Sequence, residues 1–152
     1  MKKIILYVLL LGVVLMKPHR GEDVGKLLPV EVIKMYKIGE TLVIDTDPGA
    51  TGKGATVDEA VANLKNTAAG VIFLDTADYL LIDETSKDAV PALELYLKPA
   101  VRVCEVEGEV DLKKTSEFLS VHRPSAKLKD KQGGMASEIL MMEDGRLILK
   151  EN

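Results

Sequence analysis

The stretch that decides the fold class is Thr56-Val57-Asp58-Glu59-Ala60-Val61-Ala62-Asn63-Leu64-Lys65-Asn66-Thr67-Ala68-Ala69-Gly70-Val71-Ile72-Phe73-Leu74. Its first residues fit a capping box, in which the Thr56 hydroxyl accepts a backbone N–H and Glu59 reaches back to another. The apolar residues that follow recur at helical spacing, and Gly70 favours the end of a helix. The four apolar residues from Val71 to Leu74 predict a buried strand, so a helix leads directly into a sheet.

Alternating hydrophobicity extends this pattern in both directions and predicts an α+β fold, a mixed β-sheet with about three helices packed on one face. The further predicted strands are 27–36, 41–45, 79–82, 100–106, 138–142 and 146–149, with helices at 85–97 and 111–122. The segments 47–54 and 123–134 are predicted loops, the second polar and mobile. A turn at Glu143-Asp144-Gly145 predicts a hairpin between the last two strands.

The N-terminus carries the pattern of an export signal or a membrane anchor. Met1-Lys2-Lys3 precedes thirteen apolar or small residues from Ile4 to Met16. Two lysines before a short apolar run are typical of a bacterial signal peptide, and the run is shorter than the roughly 20 residues of a transmembrane helix. The expected organisation is a signal peptide or anchor at 1–16, a tether at 17–26 and one domain at 27–152. The alternative is a cytoplasmic protein whose first strand is buried.

Composition narrows the possible classes of function. The net charge of −4 gives no general electrostatic reason to bind nucleic acid. Cys104 is the one cysteine of the chain, so an intramolecular disulfide is excluded, and its place in a predicted strand favours a buried packing residue. The two histidines, His19 and His122, have no neighbouring Cys or His at the spacing of metal ligands.

Two aspartates at the end of a predicted strand form the candidate metal site. Val43-Ile44-Asp45-Thr46-Asp47-Pro48-Gly49 is similar to the opening of nucleoside hydrolases, where a strand delivers aspartates to a calcium ion. Carboxylate oxygens clustered at a strand end suit Ca²⁺. The paired aspartates that follow the glycine in that family are replaced here by Ala50-Thr51. A small metal-dependent hydrolase using Asp45 and Asp47 is therefore the alternative function.

A glycine-rich stretch before the first helix forms the candidate anion site. Gly49-Ala50-Thr51-Gly52-Lys53-Gly54 resembles a phosphate-binding loop, in which backbone N–H groups and a lysine hold phosphates ahead of a helix. The spacing differs from a Walker loop, because Lys53 is followed by Gly54 rather than by Ser or Thr. We expect weak anion binding at Gly52, Lys53 and Gly54, or a flexible connection. The basic segment that begins at His122-Arg123 suits anionic headgroups or a solvated loop.

A longer pattern resembles the N-terminal domain of the Ger(x)C spore-germination proteins. It consists of the Gly-x-Gly-x-Thr run at 52–56, a helix that opens with Glu59-Ala60, the strands at 71–74 and 79–82, and the helix and strand around 95–103. The resemblance implies a membrane-attached subunit of a nutrient receptor outside the spore inner membrane, with no enzymatic activity. The family's lipobox cysteine and large C-terminal domain are absent from the sequence.

Together these patterns predict a non-catalytic extracytoplasmic module, anchored or secreted, that binds other proteins at the membrane or envelope. Residues 4–16 are expected to contact the membrane. No cofactor and no nucleic acid is expected.

Overall fold

A computed structural model describes residues 26–130 and 138–151 of the chain. In this part of the chain nine strands and three α-helices follow one another in an α+β order, which confirms the predicted fold class. The strands are β1 (Leu27–Pro29), β2 (Val32–Ile38), β3 (Thr41–Thr46), β4 (Thr51–Gly54), β5 (Val71–Phe73), β6 (Tyr79–Ile82), β7 (Arg102–Val106), β8 (Glu138–Glu143) and β9 (Arg146–Glu151). The helices are α1 (Val57–Thr67), α2 (Val90–Leu93) and α3 (Leu112–Val121).

Seven strands form the main sheet in the order β4-β3-β2-β6-β7-β8-β9. The four central strands β2, β6, β7 and β8 are parallel, and each side is extended by antiparallel strands. β1 pairs with β5 in a separate parallel ribbon. The prediction of one continuous strand at 27–36 is therefore wrong. This segment divides at Pro29–Glu31 into two strands that belong to different sheets.

The helices lie on both faces of the sheet, which corrects the prediction that they share one face. α1 and α2 cover a core that includes Ile33, Leu80 and Leu93, all fully buried. α3 covers the opposite face, where Leu119, Leu81 and Cys104 belong to a second buried apolar cluster. A sheet covered on both sides has apolar residues at every position of its central strands, as β6 shows with four buried residues in succession.

The second predicted helix is mostly 3₁₀ in geometry. One 3₁₀ turn spans Glu84–Ala89, α2 is a single turn, and another 3₁₀ turn follows at Glu94–Tyr96. Asp83 rather than Thr85 or Ser86 is the cap, since its carboxylate accepts the Thr85 N–H at 2.9 Å. Ser86 is fully buried, and its hydroxyl donates to the Met35 carbonyl at 2.8 Å. This inward hydrogen bond ties the segment to β2.

The described part of the predicted loop 123–134 is ordered against β7. The Leu128 N–H donates to the Val101 carbonyl at 2.8 Å, and the Val103 N–H donates to the Ala126 carbonyl at 2.9 Å. Leu128 is buried in the core. The prediction of a mobile loop is therefore wrong for residues 123–130, while 131–134 lie outside the described residues.

Candidate functional site

A groove of about 480 Å³ lies at the carboxyl ends of β2, β6 and β7, on the α3 face of the sheet. Open α/β sheets usually bind ligands beyond the carboxyl ends of parallel strands. The groove is lined by side chains from β2 and β3 and by the loops after β6 and β7, among them Lys34, Tyr36, Asp45, Asp83 and Glu109. It therefore contains one of the two aspartates that the sequence singled out.

Tyr36 and Asp45 are joined by a hydrogen bond inside this groove. The Tyr36 hydroxyl donates to Asp45 Oδ2 at 3.0 Å, and the Thr51 hydroxyl donates to Asp45 Oδ1 at 2.6 Å. Burial, the hydrogen bond to Asp45 and the charges of Asp45 and Glu109 raise the pKa of Tyr36 to about 12. Both carboxylate oxygens of Asp45 thus accept hydrogen bonds from protein hydroxyls, and Tyr36 is protonated at neutral pH.

Lys34 links the groove to the loop before α3. Its ammonium group donates to the Gly108 carbonyl at 2.9 Å and lies 5.2 Å from the centroid of the Tyr36 ring. Lys34 also faces Asp45 across the β2–β3 pair. The cation is held between an aromatic ring and a carbonyl, an arrangement that fixes the loop relative to β2.

Asp47 has different partners from Asp45. Its Oδ1 accepts the N–H groups of Glu31 at 2.9 Å and Val32 at 3.1 Å. Asp47 thereby closes the connection between β1 and β2. Residues 26–130 and 138–151 contain no group of three or more His, Cys, Asp or Glu side chains arranged to hold a metal ion.

The stretch Gly52-Lys53-Gly54 forms β4 instead of the predicted loop, and the reason is packing. A Cβ added at Gly52 would stand 2.5 Å from the Leu64 Cβ, and one at Gly54 would stand 2.5 Å from the Ala60 nitrogen. The glycines therefore let α1 lie directly on the edge strand. The Lys53 N–H already donates to the Asn63 side chain at 3.0 Å, so the loop on which the anion prediction rested is absent.

Two further residues that the sequence analysis considered, Cys104 and His122, have packing or hydrogen-bonding contacts in the structure. Cys104 is fully buried, as its place in a strand predicted. The His122 ring stacks on Phe118 with centroids 4.5 Å apart, and the His122 N–H donates to the Phe118 carbonyl at the end of α3. His19 and the hydrophobic segment at 4–16 lie outside the described residues.

The predicted hairpin at the end of the chain is confirmed, and it extends beyond the sheet. Asp144 and Gly145 both have positive φ, 49° and 75°, as a type I′ turn requires. β9 pairs with β8 over six residues, whereas β7 pairs with only two residues of β8, Ile139 and Leu140. The half of the hairpin from Met141 to Ile148 therefore projects past β7. The sequence predicted the turn but contained no signal for the length of the neighbouring strand.

The outer edge of β9 has no partner strand among the residues that the structure describes. The Leu140 carbonyl accepts the Glu107 N–H at 3.0 Å, so the backbone of Leu140 is directed to β7 and away from β9. Backbone groups alternate in an antiparallel pair, and Leu149, the partner of Leu140, consequently directs its own N–H and carbonyl to the open edge.

Apolar side chains surround this edge. Leu147 and Ile148 are half-buried on opposite faces of β9, and Met142 is 46% exposed. A groove of about 330 Å³ separates the hairpin from α3, and Phe118, Met142 and Leu147 line it. The hairpin combines an open backbone edge with incompletely covered apolar residues.

None of the described helices has both the length and the apolar character that crossing a membrane requires. No family model matches the chain, and neither a curated protein nor a solved structure matches it.

Proposed function

We propose that the chain is a non-catalytic binding module that acts through protein contacts outside the cytoplasm. The projecting hairpin β8–β9 is the observation that carries this proposal. An open strand edge accepts an extended segment of another protein by main-chain hydrogen bonds, while apolar residues beside it hold alternate side chains of that segment. The occupant is therefore an extended segment of a partner protein, added next to β9.

The arrangement of the edge supports this mode of binding. Edge strands are usually protected by short length, prolines, bulges or charged side chains, lysine above all. β9 has such charges at its two ends, in Arg146, Lys150 and Glu151, and none between Leu147 and Leu149. The three central residues are apolar, so a partner strand there would bury apolar surface on both faces of the sheet.

The proposed location rests on the sequence. Lys2-Lys3 followed by the apolar residues 4–16 is the pattern of an export signal or anchor, and the order of elements between residues 28 and 106 resembles the Ger(x)C domain. We infer from both that the domain is held at or released from the outer face of the membrane, in a setting related to sporulation or germination. Its partners are then other proteins of the membrane or envelope.

Fractionation of native cells and spores tests the location and the contact together. We expect the chain in the membrane or external fraction, intact or trimmed near residues 16–25 by mass spectrometry of its N-terminus. After extraction in a mild detergent it should migrate in a complex larger than the single chain, and Met142→Glu should shift it to a smaller size. Recovery in the cytosol as a single chain would contradict both parts of the proposal.

The hydrolase alternative makes a separate prediction. If Asp45 and Asp47 held a calcium ion, calcium would raise the melting temperature and Asp47→Ala would abolish the increase. We expect no effect of calcium, because both oxygens of Asp45 and one of Asp47 already accept protein hydrogen bonds. An Asp47-dependent increase would favour the hydrolase.

A further inference from the structure

We propose that a small pocket at the amino ends of β6 and β7 binds a phosphoryl oxyanion through Tyr79, Arg102 and Arg123. The pocket measures about 160 Å³, which suits a phosphate-sized group, and its other lining residues are Asp78 and Ala100. It lies at the opposite end of the parallel strands from the Tyr36 groove. The proposal is independent of the protein contact assigned to the hairpin.

Tyr79 is the first observation that points to a ligand. The residue as a whole is 7% exposed, and its hydroxyl, which makes no hydrogen bond to any residue in the described ranges, is accessible from the pocket. The ring is enclosed by protein while the hydroxyl opens into the pocket, so the hydroxyl can donate its hydrogen to a molecule that enters. A ligand oxygen in the pocket would accept this phenolic hydrogen in place of water.

The two arginines supply further donors. One Nη of Arg102 donates to the Pro124 carbonyl, and Nε of Arg123 donates to the Ser120 carbonyl at 3.3 Å. A guanidinium group has five N–H donors, so each arginine retains several. Both are close enough to Tyr79 to lower its phenol pKa, which burial raises overall. Planar guanidinium groups are well matched to phosphate oxygens.

The carboxylates near the pocket are already paired. Asp78 accepts from the Lys98 ammonium group at 2.6 Å, and Glu31 accepts a hydrogen bond from the Ser116 hydroxyl. The groups that face Tyr79 thus include Asp78, which is paired with a lysine, Glu31, which keeps its charge but has a hydroxyl partner, and two arginines with remaining donors. A surplus of cationic donors around an open phenol selects an anion with several acceptor oxygens.

Calorimetric titration of the full chain with inorganic phosphate, at constant ionic strength, tests the site. We expect saturable binding that Tyr79→Phe weakens about fivefold, since it removes one hydrogen bond to a charged group. Arg123→Gln should weaken it about tenfold or more. The control is Lys113→Gln, an exposed cation on α3 that lies outside both the pocket and the hairpin, and it should bind phosphate like the original chain.

A parallel titration with phosphatidylcholine vesicles, with and without phosphatidic acid, separates a free anion from a lipid headgroup. Binding that depends on Tyr79 and Arg123 in either titration supports the oxyanion site. The probe that binds shows whether the oxyanion is a free phosphate or a lipid headgroup. The proposal is overturned if neither probe binds saturably. It is equally overturned if the Tyr79→Phe and Arg123→Gln proteins bind with the affinity of the Lys113→Gln control.

Discussion

The Tyr36 hydroxyl donates a 3.0 Å hydrogen bond to Asp45 Oδ2 across the antiparallel pair β2–β3. This hydrogen bond connects the two adjacent strands on the face that α3 covers, at the carboxyl ends of the parallel strands. Burial of the phenol, together with this hydrogen bond to the Asp45 carboxylate, makes the folded state hold the Tyr36 proton more tightly than the unfolded state does. The folding stability therefore depends on pH in the alkaline range.

The first prediction concerns this pH dependence. The pKa of Tyr36 is raised from 10.0 to about 12 by burial, by the hydrogen bond to Asp45 and by the charges of Asp45 and Glu109. A pKa that is higher in the folded state contributes stability below the unfolded pKa, and the contribution is lost between about pH 10 and 12. The free energy of unfolding should therefore decrease across that pH window, and that of the Tyr36→Phe variant should decrease less steeply.

The absorbance of phenolate, measured for the original chain and for Tyr36→Phe, isolates the titration of Tyr36 in the difference between the two curves. Asp45→Asn should move that titration to lower pH, because it removes the negative charge beside the phenol. A Tyr36 titration near its ordinary value of 10.0 in the folded chain would contradict both the burial of the phenol and its hydrogen bond to Asp45.

The second prediction concerns Gly52. The Cβ of an alanine at this position would meet the Ala60 carbonyl and stand 2.5 Å from Leu64 Cβ, so α1 would have to move away from β4. We expect Gly52→Ala to reduce the free energy of unfolding by about 2–3 kcal/mol, the usual cost of overpacking. Urea denaturation measures this free energy. The control is Lys53→Ala, whose side chain is exposed, and its free energy of unfolding should lie within about 0.5 kcal/mol of that of the original chain. Equal stability of the two variants would contradict the close packing.

The third prediction concerns the capping box that opens α1. The Thr56 hydroxyl accepts the Glu59 N–H at 3.2 Å, and the Glu59 carboxylate accepts the Ala55 N–H at 2.9 Å. Thr56→Ala should cost about 1 kcal/mol of folding stability, whereas Thr56→Ser, which keeps the hydroxyl, should cost little. Thermal or urea unfolding distinguishes them, and an equal loss in both variants would mean that the hydroxyl does not cap the helix.

The fourth prediction concerns a buried hydroxyl under α3. Thr115 is fully buried, and its Oγ1 has no hydrogen-bond partner within the described residues. Thr115→Val replaces the hydroxyl by a methyl of similar volume, so it should raise the free energy of unfolding by about 1 kcal/mol. Thr115→Ala, which leaves a small cavity instead, is the matched comparison and should not stabilise the fold. Destabilisation by valine would show that the hydroxyl has a hydrogen-bond partner in the folded protein.

Local signals in the sequence were sufficient for α1 and for the last hairpin. The capping box at Thr56 and Glu59 and the Asp144-Gly145 turn are both encoded by a few neighbouring residues, and the structure confirms both. The burial of Cys104 followed from its place in an apolar strand. In each case the deciding interaction joins residues that are close together along the chain, which is why a single sequence was enough to predict it.

Features that depend on distant contacts were missed. Gly52 and Gly54 look like a loop, yet they form a strand because α1 packs against them. The apolar run at 79–82 contained a signal for a sheet covered on both faces, since no position in it is polar. The Tyr36–Asp45 pair and the Tyr79 pocket had no local signal, because strand register and the path of the chain after α3 bring their members together.

The central claim is that the β9 edge contacts a partner protein, and photo-crosslinking in native cells tests it most directly. A photoreactive amino acid at Arg146, on the projecting hairpin, should give a discrete adduct of higher mass. The same amino acid at Asn66, on the exposed side of α1, should give none, and Met142→Glu should abolish the adduct from position 146 while the chain still accumulates. Absence of an adduct at 146, or equal adducts at 146 and 66, would contradict the claim that this edge is the binding surface.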